Sequence, residues 1–440
     1  MPAPGSPSPA FPENPDPSSA PPADTDPNAR YHAATLEDLE ETGAEHRVYH
    51  LTTDSTQRLD KYLQNRLKGI SRNQIQKLIA LGGVTVNGKS VKPSLSLRTG
   101  DTVEVVVPPK PAVDLRPEPI RLDILYEDDD MVAVNKQANL IVHPARKYKS
   151  GTMINALAHH FQNPGFNTPR VDERTRPPAA SDAGLSEVGQ QDQRPGVVHR
   201  LDMNTTGVIL FAKQDATHWL LAKQFEDRTN LKCYLALVHG CPDPPSGSID
   251  QPLGKHPTIR EGHAVRHDAA GKESLTFYRV RRRYRGYSLI ECELKSGRTH
   301  QIRVHLSFLG FPIVGDQLYG GETVGPPELA DPPLAAGSRP NLNFARTKAE
   351  GQKIESDAAE RAATGESPLM ATPALHAALL RIHHPVFKTH RTFTAPLHRP
   401  MLDLIQTLEA HHHAPGETIT DGTHVDLATA LPGIDLKPSR

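Results

Sequence analysis

The sequence has few cysteines and no long apolar run. Its three cysteines, Cys233, Cys241 and Cys292, form no CxxC pair, which argues against a disulfide framework and a thiolate metal site. No apolar run approaches the roughly 18 residues of a membrane span. The N-terminal stretch MPAPGSPSPAFPENPDPSS lacks the basic and apolar regions of a secretion signal. These features predict a cytoplasmic protein without a membrane partner.

The chain also lacks an excess of charge and is modest in hydrophobic residues. Its formal net charge is −1, so the distribution of charge is more informative than the total. Hydrophobic residues make up 37% of 440 residues, and ten of the 41 prolines lie in the first 27 positions. We therefore predict a disordered, Pro-rich acidic tail over residues 1–47. The remainder is long enough for two or more domains.

A small basic unit is predicted over residues 48–108. Leu59, Leu63 and Leu67 form one helical stripe in RLDKYLQNRLKG, and SRNQIQKLIALGG predicts a second helix. VTVNGKSV has the hairpin signal Asn87-Gly88, and GDTVEVVVP reads as a strand. Positions 57–92 hold eight Lys or Arg and one acid. This concentration of positive charge is typical of a phosphate-binding module.

A linker over 109–119 separates this unit from a predicted α+β domain over 120–410. Strand and helix signals alternate there without a Rossmann or P-loop motif, which favours a mixed, mainly antiparallel sheet. In the helix predicted at DATHWLLAKQF, Ala216, Trp219 and Leu220 share a face. Polar, Pro-rich stretches at about 162–194 and 321–372 are predicted insertions, and 411–440 is a predicted C-terminal tail.

Four separated stretches of the second domain carry polar residues suited to chemistry: HRLDMNTTG, KCYLALVHG, SGRTHQIRVHL and GDQLYG. The first holds Asp202, the second Tyr234, and the third Arg298 and Arg303. Burial disfavours a charged carboxylate, and a facing arginine restores that form. An aromatic ring beside it offers a surface on which a nucleobase can stack. Together these residue types suit chemistry on an extruded base.

These stretches resemble known families. The basic unit is similar to the S4 RNA-binding domain through RLDKYL, SRNQIQKLI and GGVTVNGK. From about residue 57 to about 407 the chain resembles the RluA-type RNA pseudouridine synthases. HRLDMNTTGVILFAK matches the family's catalytic motif and departs only at Thr206, where serine is more usual. GRTHQIRVH, GDQLYG and ALHAALLRIHHP follow in the family's order.

The resemblance implies roles for five residues. Asp202 would be the catalytic aspartate that isomerises uridine to pseudouridine, and Tyr234 would stack on the base. Arg303 would pair with the aspartate, with Arg298 as the open alternative. Arg200 would enter the RNA stack as the target nucleotide leaves it, offsetting part of the few kcal/mol that flipping costs.

The resemblance also implies the enzyme's class, partner and needs. It predicts an isomerase that acts as a monomer without cofactor or metal. The expected partner is ribosomal RNA of the large subunit, with transfer RNA as the alternative.

Other interpretations of the same residues remain open. A non-catalytic S4-type RNA-binding or ribosome-assembly factor would keep the fold without turnover. His199 is a candidate base, although a satisfied core histidine is the commoner role. The runs HHH (411–413) and HHP (383–385) are weak metal candidates, because partners at ligand spacing are lacking. RVRRRYR (279–285) is either an ordinary exposed strand or an extra RNA contact.

Overall fold

The computed structural model describes residues 45–55, 57–67, 70, 72–107, 115–144, 148, 150–163, 165–167, 184–189, 194–325, 329, 368–412, 414 and 421–436. The chain forms two compact units, Met1–Ala112 and Val113–Arg440. The predicted tail up to position 44, much of the linker and most of both predicted insertions lie outside the described residues.

The first unit packs two helices on a four-stranded antiparallel sheet. Its elements are β1 (Glu45–His50), α1 (Leu59–Arg66), α2 (Arg72–Ala80), β2 (Val84–Val86), β3 (Lys89–Ser90) and β4 (Thr102–Val107), with strand order β1-β4-β2-β3. The predicted stripe of Leu59, Leu63 and Leu67 is at most 1% exposed and forms the core with α2. Asn87 and Gly88 both have positive φ, as a two-residue type I′ turn requires, which confirms the predicted hairpin.

The second unit is built on a nine-stranded mixed sheet. In sheet order its strands are β5 (Asp123–Glu127), β6 (Met131–Lys136), β7 (Thr206–Ala212), β14 (Leu375–His383), β8 (Leu231–His239), β13 (Tyr287–Leu294), β12 (Leu275–Tyr284) and β9 (Ser246–Asp250), and β15 (His390–Thr394) pairs with β14. Among these described strands, only β7 and β14 pair in parallel. The predicted α+β class with a mainly antiparallel sheet is confirmed.

Helices and short elements cover this sheet. They are α3 (Met153–Gln162), α4 (Asp215–Glu226), α5 (Gln301–Phe308), a 3-10 turn (Gln317–Tyr319), α6 (Arg399–His411) and α7 (Leu427–Ala430), and β10 (Leu253–Lys255) pairs with β11 (His263–Val265). None of the described helices has the length and apolar character needed to cross a bilayer.

Two boundaries differ from those predicted. β1 begins at Glu45, because its residues pair in register with β4. Part of the predicted C-terminal tail belongs to the second unit: Val425, Ala430 and Leu431 are at most 4% exposed in its core. Leu397 N–H also donates to the Ala430 carbonyl (2.9 Å). Contacts between distant segments decide both boundaries, and local composition does not reveal them.

The basic run RVRRRYR is not a plain exposed strand. On β12, Arg281 is 7% exposed and pairs with Glu291 of β13. Arg282 is 5% exposed and donates from Nε and Nη2 to the two carboxylate oxygens of Glu409 on α6 (2.8 and 2.7 Å). A buried guanidinium needs such a partner. These two arginines join the C-terminal segment to the sheet, and both are buried and paired.

Candidate active site

Asp202 lies in the turn that leads into β7. The Thr205 N–H donates to the Asp202 carbonyl oxygen (3.1 Å), and the buried Leu201 side chain anchors the turn in the core. The Asp202 side chain is 21% exposed, and its Oδ2 lies 3.8 Å from both Arg303 Nη1 and His300 Nε2. The carboxylate is thus held near two nitrogen groups, at distances beyond a hydrogen bond.

Arg303 is fixed by a second carboxylate. It lies on α5, where its Nε and Nη2 each donate to Asp316 at 2.7 Å, and its guanidinium lies 4.9 Å from the Tyr319 ring centroid. Asp316 is 1% exposed, so this is a buried two-point pair. Only Nη1 is left to face Asp202. Burial opposes the charge on Arg303, but the two carboxylates outweigh burial and raise its pKa above the ordinary value.

Lys136 holds the turn that contains Asp202 through hydrogen bonds to backbone carbonyl oxygens. Its buried ammonium donates to the carbonyl oxygens of Gln137 (2.9 Å), Leu140 (2.8 Å) and Met203 (2.7 Å), and so ties the end of β6 to the residue after Asp202. Burial lowers the pKa of Lys136 to about 7, although the Asp202 charge acts in the opposite direction. The sequence analysis missed this residue. A lysine directly after the strand run MVAVN was the available signal.

Tyr234 supplies the apolar wall. It lies on β8, partly buried between two parts of the core, and lines the pocket that contains Asp202. Burial raises the pKa of its phenol, and the Asp202 charge adds to that shift. The phenol therefore stays protonated at neutral pH, beside the carboxylate.

The two remaining predicted arginines line the same pocket. Arg200 is exposed, and the Arg298 guanidinium donates from Nε to the Glu273 carbonyl (3.3 Å). The Arg298 backbone N–H donates to Gln301 (3.0 Å). The structure therefore brings all five predicted residues to one pocket, and of the two candidate partners it places Arg303 beside Asp202.

His199, the candidate base, has a structural role. Its Nε2 accepts a hydrogen bond from Leu210 N–H (2.9 Å), and its ring stacks on Phe225 with centroids 4.3 Å apart. Burial lowers the pKa of His199 to about 3, so the ring stays neutral. The Nε2 lone pair is engaged by the β7 backbone, which leaves it unavailable as a base.

A histidine of the HHP run does enter a cluster of metal-binding residue types. His384 lies with Asp128 and Asp130, their potential ligand atoms within 4.8 Å of one another. However, His384 Nδ1 accepts from the N–H groups of Val386 and Phe387, so its proton is on Nε2, which donates to Asp128 (2.8 Å). A ring nitrogen that carries a proton is not a metal ligand. The cluster is accounted for as a hydrogen-bond network.

Comparison with known proteins identifies the class of this fold and site. The RNA pseudouridylate synthase family model matches residues 130–308, and the S4 domain model matches residues 57–103. The uncharacterized RNA pseudouridine synthase YlyB of Bacillus subtilis is 34% identical over 353 residues, which cover 80% of this chain and 94% of that protein. The ribosomal large subunit pseudouridine synthase D of Pasteurella multocida is 32% identical over 357 residues, covering 81% and 92%.

A third relative has the same name in another organism. The ribosomal large subunit pseudouridine synthase D of Xanthomonas campestris is 37% identical over 264 residues, which cover 60% of this chain and 71% of that protein. The chain belongs to the RNA pseudouridine synthase family and carries an S4 domain. It is an isomerase that acts on RNA.

Proposed function

We propose that this enzyme converts specific uridines of large-subunit ribosomal RNA to pseudouridine, with Asp202 as the catalytic group acting on a flipped-out nucleotide. One observation carries the proposal: the Asp202 carboxylate lies 3.8 Å from Arg303 in a pocket that Tyr234 also lines. A carboxylate, a fixed guanidinium and an aromatic ring on separate elements form a site for a pyrimidine nucleotide.

Each group has a part in binding that nucleotide. Arg303, held by Asp316, places a positive charge beside the Asp202 carboxylate. Tyr234 stacks on the uracil. Arg200, exposed at the pocket, fills the space that the base leaves in the RNA. Arg298 contacts the substrate at the rim instead of pairing with Asp202.

The ribosomal target is supported by the relatives and by the first unit. Two relatives are named ribosomal large subunit pseudouridine synthase D. The S4 domain presents Arg58 and Arg72, each about half exposed, for contact with RNA phosphates. We further propose that the reaction takes place in the cytoplasm and needs no metal.

Replacing Asp202 by Ala tests the catalytic role. Pseudouridines are mapped across total RNA from cells with the gene, without it, and with the Asp202→Ala form. We expect the deletion to remove pseudouridine at particular large-subunit sites, and the variant to leave those sites unmodified. The purified variant should bind the same RNA within about twofold of the wild type.

The control is Asp227→Ala, which changes an exposed carboxylate at the end of α4 and should restore full modification. Unchanged modification with Asp202→Ala would contradict the proposal and favour a non-catalytic RNA-binding factor. Loss of pseudouridine only at transfer RNA sites in the deletion strain would contradict the ribosomal target. Loss of activity in a chelator would contradict the metal-free reaction.

A further inference from the structure

His300 lies against the proposed catalytic carboxylate in an unusual backbone conformation. It precedes α5 with φ 58° and ψ 20°, in the left-handed region that non-glycine residues rarely adopt. Its side chain is 16% exposed and reaches to 3.8 Å from Asp202 Oδ2. Such a conformation is strained and persists where surrounding contacts hold it. The contacts of its ring are therefore informative.

Those contacts determine which ring nitrogen carries the proton. The backbone N–H of His263 donates to Tyr319 Oη (2.9 Å), and Tyr319 Oη lies 2.6 Å from His300 Nδ1. Tyr319 is 1% exposed, so solvent does not receive its phenolic hydrogen. Among the described residues, the acceptor in reach is His300 Nδ1. Tyr319 therefore donates to Nδ1, and the ring proton of His300 is on Nε2.

The charge of the ring agrees with this assignment. Burial lowers the pKa of His300 to about 2, and the nearby Arg303 charge acts in the same direction. Burial raises the pKa of the Tyr319 phenol, which keeps its hydrogen in place. At neutral pH the pair is therefore a neutral imidazole and a neutral phenol. The hydrogen bond between them runs from the Tyr319 hydroxyl to His300 Nδ1.

We infer that His300 is a positioning residue for Asp202. Tyr319 fixes the tautomer of His300, and the Nε2–H of His300 faces the Asp202 carboxylate together with Arg303. This inference rests on the proposed function of Asp202. The same oxygen, Oδ2, is 3.8 Å from the His300 and Arg303 nitrogens. A movement of about 1 Å brings both donors into hydrogen-bond range and leaves the second carboxylate oxygen for the nucleotide. An N–H donor orients the carboxylate without adding another charge.

The tautomer is tested directly by nitrogen NMR of the full chain labelled with ¹⁵N in its histidine rings. The His300 signals are those that disappear in His300→Gln. We expect Nε2 in the range of a protonated ring nitrogen and Nδ1 in the range of an accepting one. Tyr319→Phe removes the phenolic donor and should mix the two tautomers. A proton on Nδ1 in the wild type would overturn the inference, whatever the activity.

The consequence for Asp202 is tested by single-turnover kinetics on an RNA that the wild type modifies. His300→Ala should lower the rate about 10- to 100-fold, because a misplacement of about 1 Å in an active site can cost on the order of 100-fold. The RNA Kd should be unchanged. His300→Gln keeps an N–H at the Nε2 position and should recover part of the rate. Tyr319→Phe should lower the rate by less than His300→Ala, because the correct tautomer remains partly populated.

Tyr278→Phe is the matched control, because this buried tyrosine donates to the Pro244 carbonyl (3.2 Å) and does not line the pocket. Its rate should equal that of the wild type. A His300→Ala rate equal to that of the wild type would overturn the inference and leave the proposed function intact. A wild type inactive on every RNA would refute the proposed function, while the NMR experiment would still decide the tautomer.

Discussion

At the scale of single residues, two carboxylates with different tasks share one arginine. Asp316 is buried and takes two hydrogen bonds from Arg303, so it sets the orientation of the guanidinium. Asp202 is partly exposed and 3.8 Å from the remaining nitrogen, so it is free to meet a substrate. The asymmetry follows from geometry, because a guanidinium with two donors engaged at one edge has a fixed direction at the other.

Replacing Asp316 by Asn should affect both stability and turnover. The change leaves Arg303 buried with half of its charge compensation removed, which costs on the order of 3–5 kcal/mol when a buried pair is broken. We expect a lower melting temperature, and a lower kcat because Arg303 turns toward Asp202. Thermal melts and single-turnover rates measure the two effects.

The control for this change is Asp268→Asn, which removes a carboxylate from the pair with Arg266. The Asp268 side chain is 54% exposed. Exposed ion pairs contribute about 0–1 kcal/mol to the free energy of unfolding. It should change neither melting temperature nor rate appreciably. An Asp316→Asn enzyme that melts and reacts like the wild type would show that Arg303 is positioned by other contacts.

At the scale of elements, α4 shows that the apolar stripe of a helix need not be the face that packs on the core. Ala216, Trp219 and Leu220 do share a face, as predicted, but all three are exposed, Trp219 by 64% and Leu220 by 49%. The face that packs on the sheet carries Thr217, His218 and Leu221. Periodicity identifies a face, whereas the packing partner decides which face is covered.

The two faces of α4 predict a contrast between two substitutions. Leu221→Ala empties a fully buried site and should cost about 2–5 kcal/mol of unfolding free energy. Trp219→Ala, although it removes the larger side chain, should stay within about 0.5 kcal/mol of the wild type. Thermal denaturation of the two variants side by side measures the difference. Equal destabilisation would contradict the observed orientation of α4.

A buried glutamate at the end of β5 predicts that the stability of the protein is sensitive to acid. Glu127 is buried and accepts from His160 (2.8 Å) and Lys213 (2.9 Å). Burial acts to raise its pKa, but the two partners outweigh burial, so the pKa of Glu127 is lowered. As pH falls below the ordinary glutamate value of about 4.3, the unfolded chain takes up the proton first. The stabilisation that the Glu127 carboxylate contributes above that pH is therefore lost as the pH falls further.

We therefore expect the melting temperature of the wild type to fall as the pH decreases from about 5 toward 3. Glu127→Gln should melt lower at neutral pH and show a shallower dependence in this window, because one linked proton has been removed. Melting curves at closely spaced pH values measure the slope. An unchanged slope in the variant would mean that other carboxylates account for the acid sensitivity.

At the scale of the whole molecule, the near-zero net charge conceals a basic module. In the S4 domain the buried Asp60 accepts hydrogen bonds from Arg58, Arg72 and Gln76, and so holds two half-exposed guanidiniums on one surface. Arginines held in this way bind phosphate with less loss of side-chain freedom. The RNA affinity of the chain should therefore depend strongly on salt.

Arg72→Ala should weaken RNA binding and reduce the slope of log K against log salt concentration by about one. Filter binding at several salt concentrations measures that slope. Arg47→Ala is the control within the same unit: Glu45 matches the charge of Arg47 one to one at the surface, whereas Arg58 and Arg72 share the single carboxylate of Asp60. Its slope should match the wild type. An unchanged slope for Arg72→Ala would place the RNA contact elsewhere.

The class of the fold, the core of the first unit and five residues of the pocket could be predicted from the sequence alone. Leu59, Leu63 and Leu67 were readable because helical period and burial are local properties. Asp202, Tyr234 and Arg303 were readable because their residue types stand in motifs of known order. These features depend on neighbours within a few positions along the chain.

Which of these residues contact one another could be learned from the folded structure alone. It placed Arg303, and not Arg298, beside Asp202, and it brought Lys136, His300 and Asp316 to the site. It also buried two arginines of the basic strand. It covered the face of α4 that carries Thr217, His218 and Leu221 and left the apolar stripe of that helix exposed. Contacts between residues far apart in the chain set each of these, and no local pattern encodes which distant partner a side chain meets.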